Sequence, residues 1–236
     1  MFSTKIRTSA AAAAITLALG GGLLAGCTSP GYQASAAPQN AAQAQQEQTA
    51  HAHSVTEQSR ESALYGTMRE LWADHMQWTY ATVKDFFHNS DALPATLDRL
   101  LQNQKDIGDA VASFYGREAG DELTRLLTEH IELAVPVLTA AKEGDDKALG
   151  SALDDWYVNA EQIADFLNAA NPDAWPKDGT REMMKGHIDT PVTYSVDLLK
   201  GDFAKSVADY DEAFHHMMGM SDAIAAGIIS QFPDKF

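Results

Sequence analysis

Cysteine is nearly absent: Cys27 is the only one among 236 residues, so no disulfide can form within the chain and its folded part must hold by packing. Basic residues are scarce as well, with 17 Lys and Arg against 33 Asp and Glu. A surface of that balance repels phosphates, which sets nucleic-acid binding aside and favours attraction of cations. Beyond the first 26 residues no apolar run is long enough to cross a bilayer. No stretch alternates β-branched residues in the manner of a strand. There is also no His-Glu-x-x-His, no Gly-x-Ser-x-Gly, no P-loop and no glycine-rich turn from strand to helix. The usual sequence signatures of catalysis are missing.

What is present begins with a leader. Lys5 and Arg7 precede "AAAAITLALGGGLLAGC", a charged start followed by an apolar stretch too short for an ordinary membrane span. It ends in Leu24-Ala25-Gly26-Cys27, which resembles the lipobox of bacterial lipoproteins. That resemblance implies removal of residues 1–26, lipidation of Cys27, and an extracytoplasmic protein anchored to a membrane on its periplasmic or cell-surface side. An ordinary cleavage site followed by an accidental thiol is the alternative. Several acyl chains, at about 0.8 kcal/mol per buried CH₂, would hold such a protein without a spanning helix. Removal of the leader takes away Lys5 and Arg7 and leaves 15 basic residues against 33 acidic ones, a net charge of −18.

Residues 28–57 are Ala, Gln, Ser and Pro with little to bury, the composition of a flexible tether. His51-Ala52-His53 within it can collect metal from solution, and is also ordinary polar sequence. From Gln58 the period changes. Leu64, Met68, Leu71, Trp72, Met76 and Thr79 recur every three or four positions, as do Leu123, Leu126, Leu127, Ile131 and Ala134. That spacing predicts helices. Breaks at "HNSDALP", "YGREAG", "KEGDD", "NPDAWPKDG" and "KGD" divide residues 58–236 into six of them, an all-α bundle large enough for one core.

The helices repeat. "HIELAVPVLTAAKEGD" starts at His130 and "HIDTPVTYSVDLLKGD" at His187, each with His-Ile, an internal proline, and Gly-Asp fourteen positions after the histidine. A similar offset backwards reaches His75 in "LWADHMQWT". In the partner helices "NQKDIGD", "NAEQIAD" and "HMMGMSD" align, placing Asn103, Asn159 and His216 at 28, 29 and 29 positions after the three histidines. We therefore expect three α-hairpins of about 56 residues. His75, His130 and His187 lie on apolar stripes and should point inward. Asp109, Asp165 and Asp222 follow the polar column by six residues, about 240° around the helix, and should face solvent or a neighbouring hairpin.

Three imidazoles at one level would make a nitrogen cage for zinc or copper with an open fourth position. Equally, each can be buried with its own hydrogen bond across its hairpin, to Asn103, Asn159 or His216. Met183, Met184, Met217, Met218 and Met220, beside His215 and His216, would suit copper(I) or serve as core filler. Glu212-Ala-Phe-His215 has the Glu-x-x-His spacing of di-iron bundles, but such bundles need two copies and further glutamates, which leaves a ferritin-like oxidase the weaker option. Trp72, Trp78, Trp156 and Trp175 read as core aromatics or as the lining of a pocket.

"LWADHMQWT", "LLQNQKDIGDAVASFYG", "LLTEHI", "WYVNAEQIADFLN" and the closing "QFP" resemble a family of bacterial all-helical proteins, over nearly the whole stretch from Leu71 to Pro233. The resemblance implies a helical fold and assigns no catalytic residue. Two readings result: a metal-binding lipoprotein using His75, His130, His187 and His216, or an envelope interaction or structural lipoprotein whose histidines specify hairpin pairing.

Overall fold

Helix follows helix along the chain, and the residues that stop each one are those that cannot continue it. In a computed structural model the backbone is described for residues 41–236 and the side chains for residues 60–236. The leader, Cys27, residues 28–40 of the tether and the side chains of His51 and His53 lie outside the described residues. Six helices are present: α1 (Ala41–His88), α2 (Leu93–Tyr115), α3 (Arg117–Glu143), α4 (Asp146–Ala170), α5 (Lys177–Lys200) and α6 (Phe203–Gln231), followed by a short 3-10 turn at Pro233–Lys235. Among the described residues there are no strands. Helix α1 begins at Ala41, inside the stretch that composition assigns to a tether, where Ala, Gln and Glu are strong intrinsic helix formers.

The Gly-Asp pairs are turns with two jobs. Gly144 (φ 71°) and Gly201 (φ 78°) end α3 and α5 in the left-handed conformation that glycine adopts without strain. The aspartate that follows then caps the next helix: Asp145 accepts from the backbone N–H of Lys147 and Ala148, and Asp202 from that of Lys205. Each connection is so short that the chain folds straight back on itself. Consecutive helices pack from α2 through α6. Helix α1 joins α2 through the Asn103 side-chain N–H donating to Leu71 O, and meets α6 where Tyr80 packs on Tyr210.

Residues Gln45–Phe236 form one compact unit. Its core runs along the bundle axis through Met68, Met76, Ile107, Ile163, Ile188 and Ile228, all essentially solvent-free. Helices α2 and α3 touch most closely at Gly108 and Gly120, where a β-carbon on either would lie within 2.6 Å of the other helix's backbone or side chains. Among the described residues, no helix is long and apolar enough to cross a membrane.

Candidate functional site

The interior of this bundle is polar at one level. His75 of α1, His130 of α3 and His187 of α5 are 2%, 3% and 5% exposed. The ring centres of His75 and His187 are 5.6 Å apart and those of His130 and His187 5.5 Å, the second pair nearly parallel at 19°. Histidine appears inside because each occupies a core position of an amphipathic helix, one turn beyond Leu71, Leu126 or Met183. Indole rings close the cluster: Trp72 meets His75 edge-on at 5.6 Å, and Trp156 lies 5.2 Å from His130.

The partner helices brace the cluster with one recurring bond. Asn103 donates to Leu71 O at 2.9 Å, Asn159 to Leu126 O at 3.2 Å, and His216 through Nε2 to Met183 O at 2.9 Å. In each case the acceptor is the carbonyl four residues before the core histidine. What differs is the support given to that histidine. His130 Nδ1 donates to Asn159 Oδ1 at 2.8 Å, since the other end of that amide is already committed to Leu126. His75 Nδ1 accepts from Gln104 Nε2 at 3.4 Å, a long bond shared with a stronger one to Leu100 O at 2.7 Å. Among the described residues, His187 Nδ1 is enclosed with no partner. His216, standing where the other hairpins have asparagine, donates to the backbone but has no amide oxygen to turn toward His187.

Burial decides the protonation state. His75 is pushed down to about 3 by burial, reinforced by the proximity of His130. His130 is pushed down to about 4 by burial, partly offset by its bond to Asn159. His187 falls well below the ordinary histidine range, through burial first and then its neighbours His130, His75 and His216. All three are neutral at pH 7. With its proton held at Nδ1 by Asn159, His130 presents a bare Nε2 lone pair. The ring bonds of His75 and His130 to Gln104 and Asn159 are both made at Nδ1.

Two cavities flank the triad. The larger, about 170 Å³, is lined by all three histidines and otherwise almost entirely by apolar groups, Met76, Val83, Leu100, Ile131 and Val192 among them. The smaller, about 20 Å³, also touches all three, together with Trp72, Met68, Met184 and Met220. Among the described residues, no three His, Cys, Asp or Glu side chains already stand around a common point suited to a metal ion.

The other candidates separate cleanly. Met184 and Met220 reach the triad's smaller cavity, whereas Met217 is buried elsewhere and Met183 and Met218 are partly buried; none of these last three lines either cavity. His215 is exposed and bonds its own helix through Nδ1 to Asp211 O, and Glu212 is exposed beside it. The Glu-x-x-His spacing therefore builds no inward carboxylate site, because both residues fall on the solvent face of α6. The aspartates tie neighbouring helices: Asp109 pairs with Arg117, Asp165 with Arg181 and Asp222 with Arg69, all near the surface. Gln104, Thr82 and Met68 belong to the polar level or its cavities without any signal in the repeat. Gln104 follows the aligned Asn103 at a position that is Ala160 and Met217 in the other hairpins.

No family model matches the chain, and no curated protein or solved structure matches it either.

Proposed function

We propose that this chain is a lipid-anchored, extracytoplasmic binding protein that holds a transition-metal ion, copper or zinc, through His75, His130 and His187. The observation that carries the reading is the approach of three neutral imidazoles, one from each of α1, α3 and α5, with ring centres 5.6 Å apart for His75 and His187 and 5.5 Å for His130 and His187. Rings sharing one tetrahedral ion at about 2.0–2.1 Å per nitrogen hold their centres roughly 5 Å apart. Closing the observed cluster on an ion takes rotation of rings, chiefly of the near-parallel pair His130 and His187. The Asn159 bond to His130 Nδ1 is the outer contact that fixes a ligating histidine's tautomer. Met184 and Met220, on the smaller cavity, supply soft thioethers for copper(I). His216 has its Nε2 committed to Met183 O and keeps only Nδ1 for handing an ion on.

In this reading the bundle is three copies of one hairpin, α1–α2, α3–α4 and α5–α6. The recurring bond from the second helix to the carbonyl four residues before the histidine supports it. So do the aspartates that each reach an arginine on the first helix of a neighbouring hairpin.

A second reading has its own support. The bonds His130 to Asn159 and Gln104 to His75 satisfy ring nitrogens within single hairpins, as expected of histidines that specify pairing in an envelope interaction or structural lipoprotein without metal. A thermal-shift series separates the two. A bound ion raises the melting temperature by mass action, so copper or zinc should raise it for the untagged protein and EDTA should reverse the rise. A melting temperature indifferent to both leaves the pairing role alone.

A further inference from the structure

The larger cavity is long for its volume. On α1 its lining runs from His75 to Phe87, on α3 from His130 to Ala141 and on α5 from His187 to Val196. At 1.5 Å per residue those stretches cover about 18, 16 and 14 Å along three helices that point the same way. A compact void of about 170 Å³ would span only about 7 Å, little more than one helical turn. The space is therefore a narrow channel along the bundle axis. It starts at the buried histidine level and ends among Phe87, Leu93, Leu138 and Leu149, which are partly exposed at the end of the bundle that carries the three hairpin turns.

Its wall and its rim differ in charge. Thr79, Thr82 and Trp156 line the channel, but Thr79 Oγ1, Thr82 Oγ1 and Trp156 Nε1 are sealed off, so these residues turn methyl groups and ring carbons to the space. Among the described residues no Asp, Glu, Lys or Arg lines it. A charged group inside would lose its hydration without compensation. At the rim stands Lys142, next to the lining Ala141, with its ammonium 5.3 Å over the Phe86 ring and donating to Phe86 O at 3.3 Å.

Shape, volume and rim together select the occupant. A cavity of about 150 Å³ admits the six carbons of benzene, so about 170 Å³ takes a single chain of about eight. A cage-like group is too wide for the channel, and a lipid with two acyl chains is too large. We propose that the channel binds one medium-chain fatty acid, its alkyl tail running inward past Val83 and Ile131 to the histidine level and its carboxylate outside, beside Lys142. The inference does not rest on the metal reading, and EDTA throughout the test keeps the two apart.

Nonanoate and adamantane-1-carboxylate carry the same charge and a similar load of carbon in different shapes, and both are titrated calorimetrically into the untagged full chain. Nonanoate should saturate one site per chain and bind about tenfold tighter than the cage acid or better. Shortening it to heptanoate should weaken binding about fourfold per methylene. Lys142→Gln should weaken nonanoate severalfold and leave nonan-1-ol unchanged, and Ala134→Leu, which narrows the channel midway, should abolish both. No saturable nonanoate binding, equal affinity for the two acids, or nonanoate binding unaltered in Ala134→Leu would each overturn the channel. Nonanoate affinity unaltered in Lys142→Gln would overturn the placing of the carboxylate. If Ala134→Leu does not fold, the comparison of the two acids in the parent decides.

Discussion

The hairpin α3–α4 and the hairpin α5–α6 carry the same core histidine on the same kind of helix, and they treat it differently. In α3–α4 the amide of Asn159 works in both directions, donating to Leu126 O and accepting from His130. In α5–α6 the same place is His216, which donates to Met183 O and leaves His187 without a partner. One is a finished structural contact. The other is a buried polar atom left without a partner, on a residue that also lines the larger cavity. With histidine at 216 where α4 has Asn159, the brace on the backbone is kept and the acceptor for the core histidine is lost.

Acid should expose what the two hairpins share. The folded histidines sit below the ordinary value of 6.5, His75 at about 3 and His130 at about 4. Between those values and 6.5 the unfolded chain binds more protons than the folded one, so stability is complete above pH 6.5 and falls as pH drops toward 4. At pH 5 the loss should be roughly 2 kcal/mol for each of His75 and His130. Urea unfolding at pH 7 and 5 measures it. Replacing His187 by phenylalanine should make that dependence shallower.

Removing the polar partner should separate the hairpins. Asn159→Ala strands His130 Nδ1 in a sealed interior, removes the second donor to Leu126 O and opens a small void, and should cost about 3 kcal/mol. His216→Ala breaks only the bond to Met183 O, in a half-buried setting, and should cost about 1 kcal/mol. Equal losses by denaturant titration would erase the distinction drawn between them.

Substituting the histidines themselves sharpens it. His130→Phe leaves the Asn159 oxygen bare and should cost roughly 1–3 kcal/mol, whereas His187→Phe abandons no partner and should fall within about 0.5 kcal/mol of the parent. The smallest effect is a gain. His216→Asn should supply the missing acceptor and stabilise by about 0.5–1.5 kcal/mol.

Helical periodicity made the six helices legible, and Gly and Asp made their ends so, because a helix stop is a local event: Gly144 and Gly201 need only their own φ, and Asp145 only the next turn. The inward facing of His75, His130 and His187 was legible too, since position on an apolar stripe fixes direction. Their near approach was not, because it depends on how α1, α3 and α5 are arranged about the axis, and spacing along one helix carries no information on that. Gln104 and Thr82 escaped for a related reason. Each is polar at a place where polarity is unremarkable along the helix and becomes significant only when a neighbouring helix closes over it. The methionines misled in the opposite sense: adjacency in sequence grouped Met217, Met218 and Met220, but a helix turns 100° per residue and sends only Met220 of those three to the triad's cavity.

The central claim, that the three imidazoles share an ion, is met most directly by metal analysis after equilibrium dialysis of the untagged protein against copper or zinc, alongside a variant in which His75, His130 and His187 are all alanine. The account predicts one ion bound per chain in the parent and none in the variant. Failure of the parent to retain stoichiometric metal, or equal retention by the variant, would contradict it.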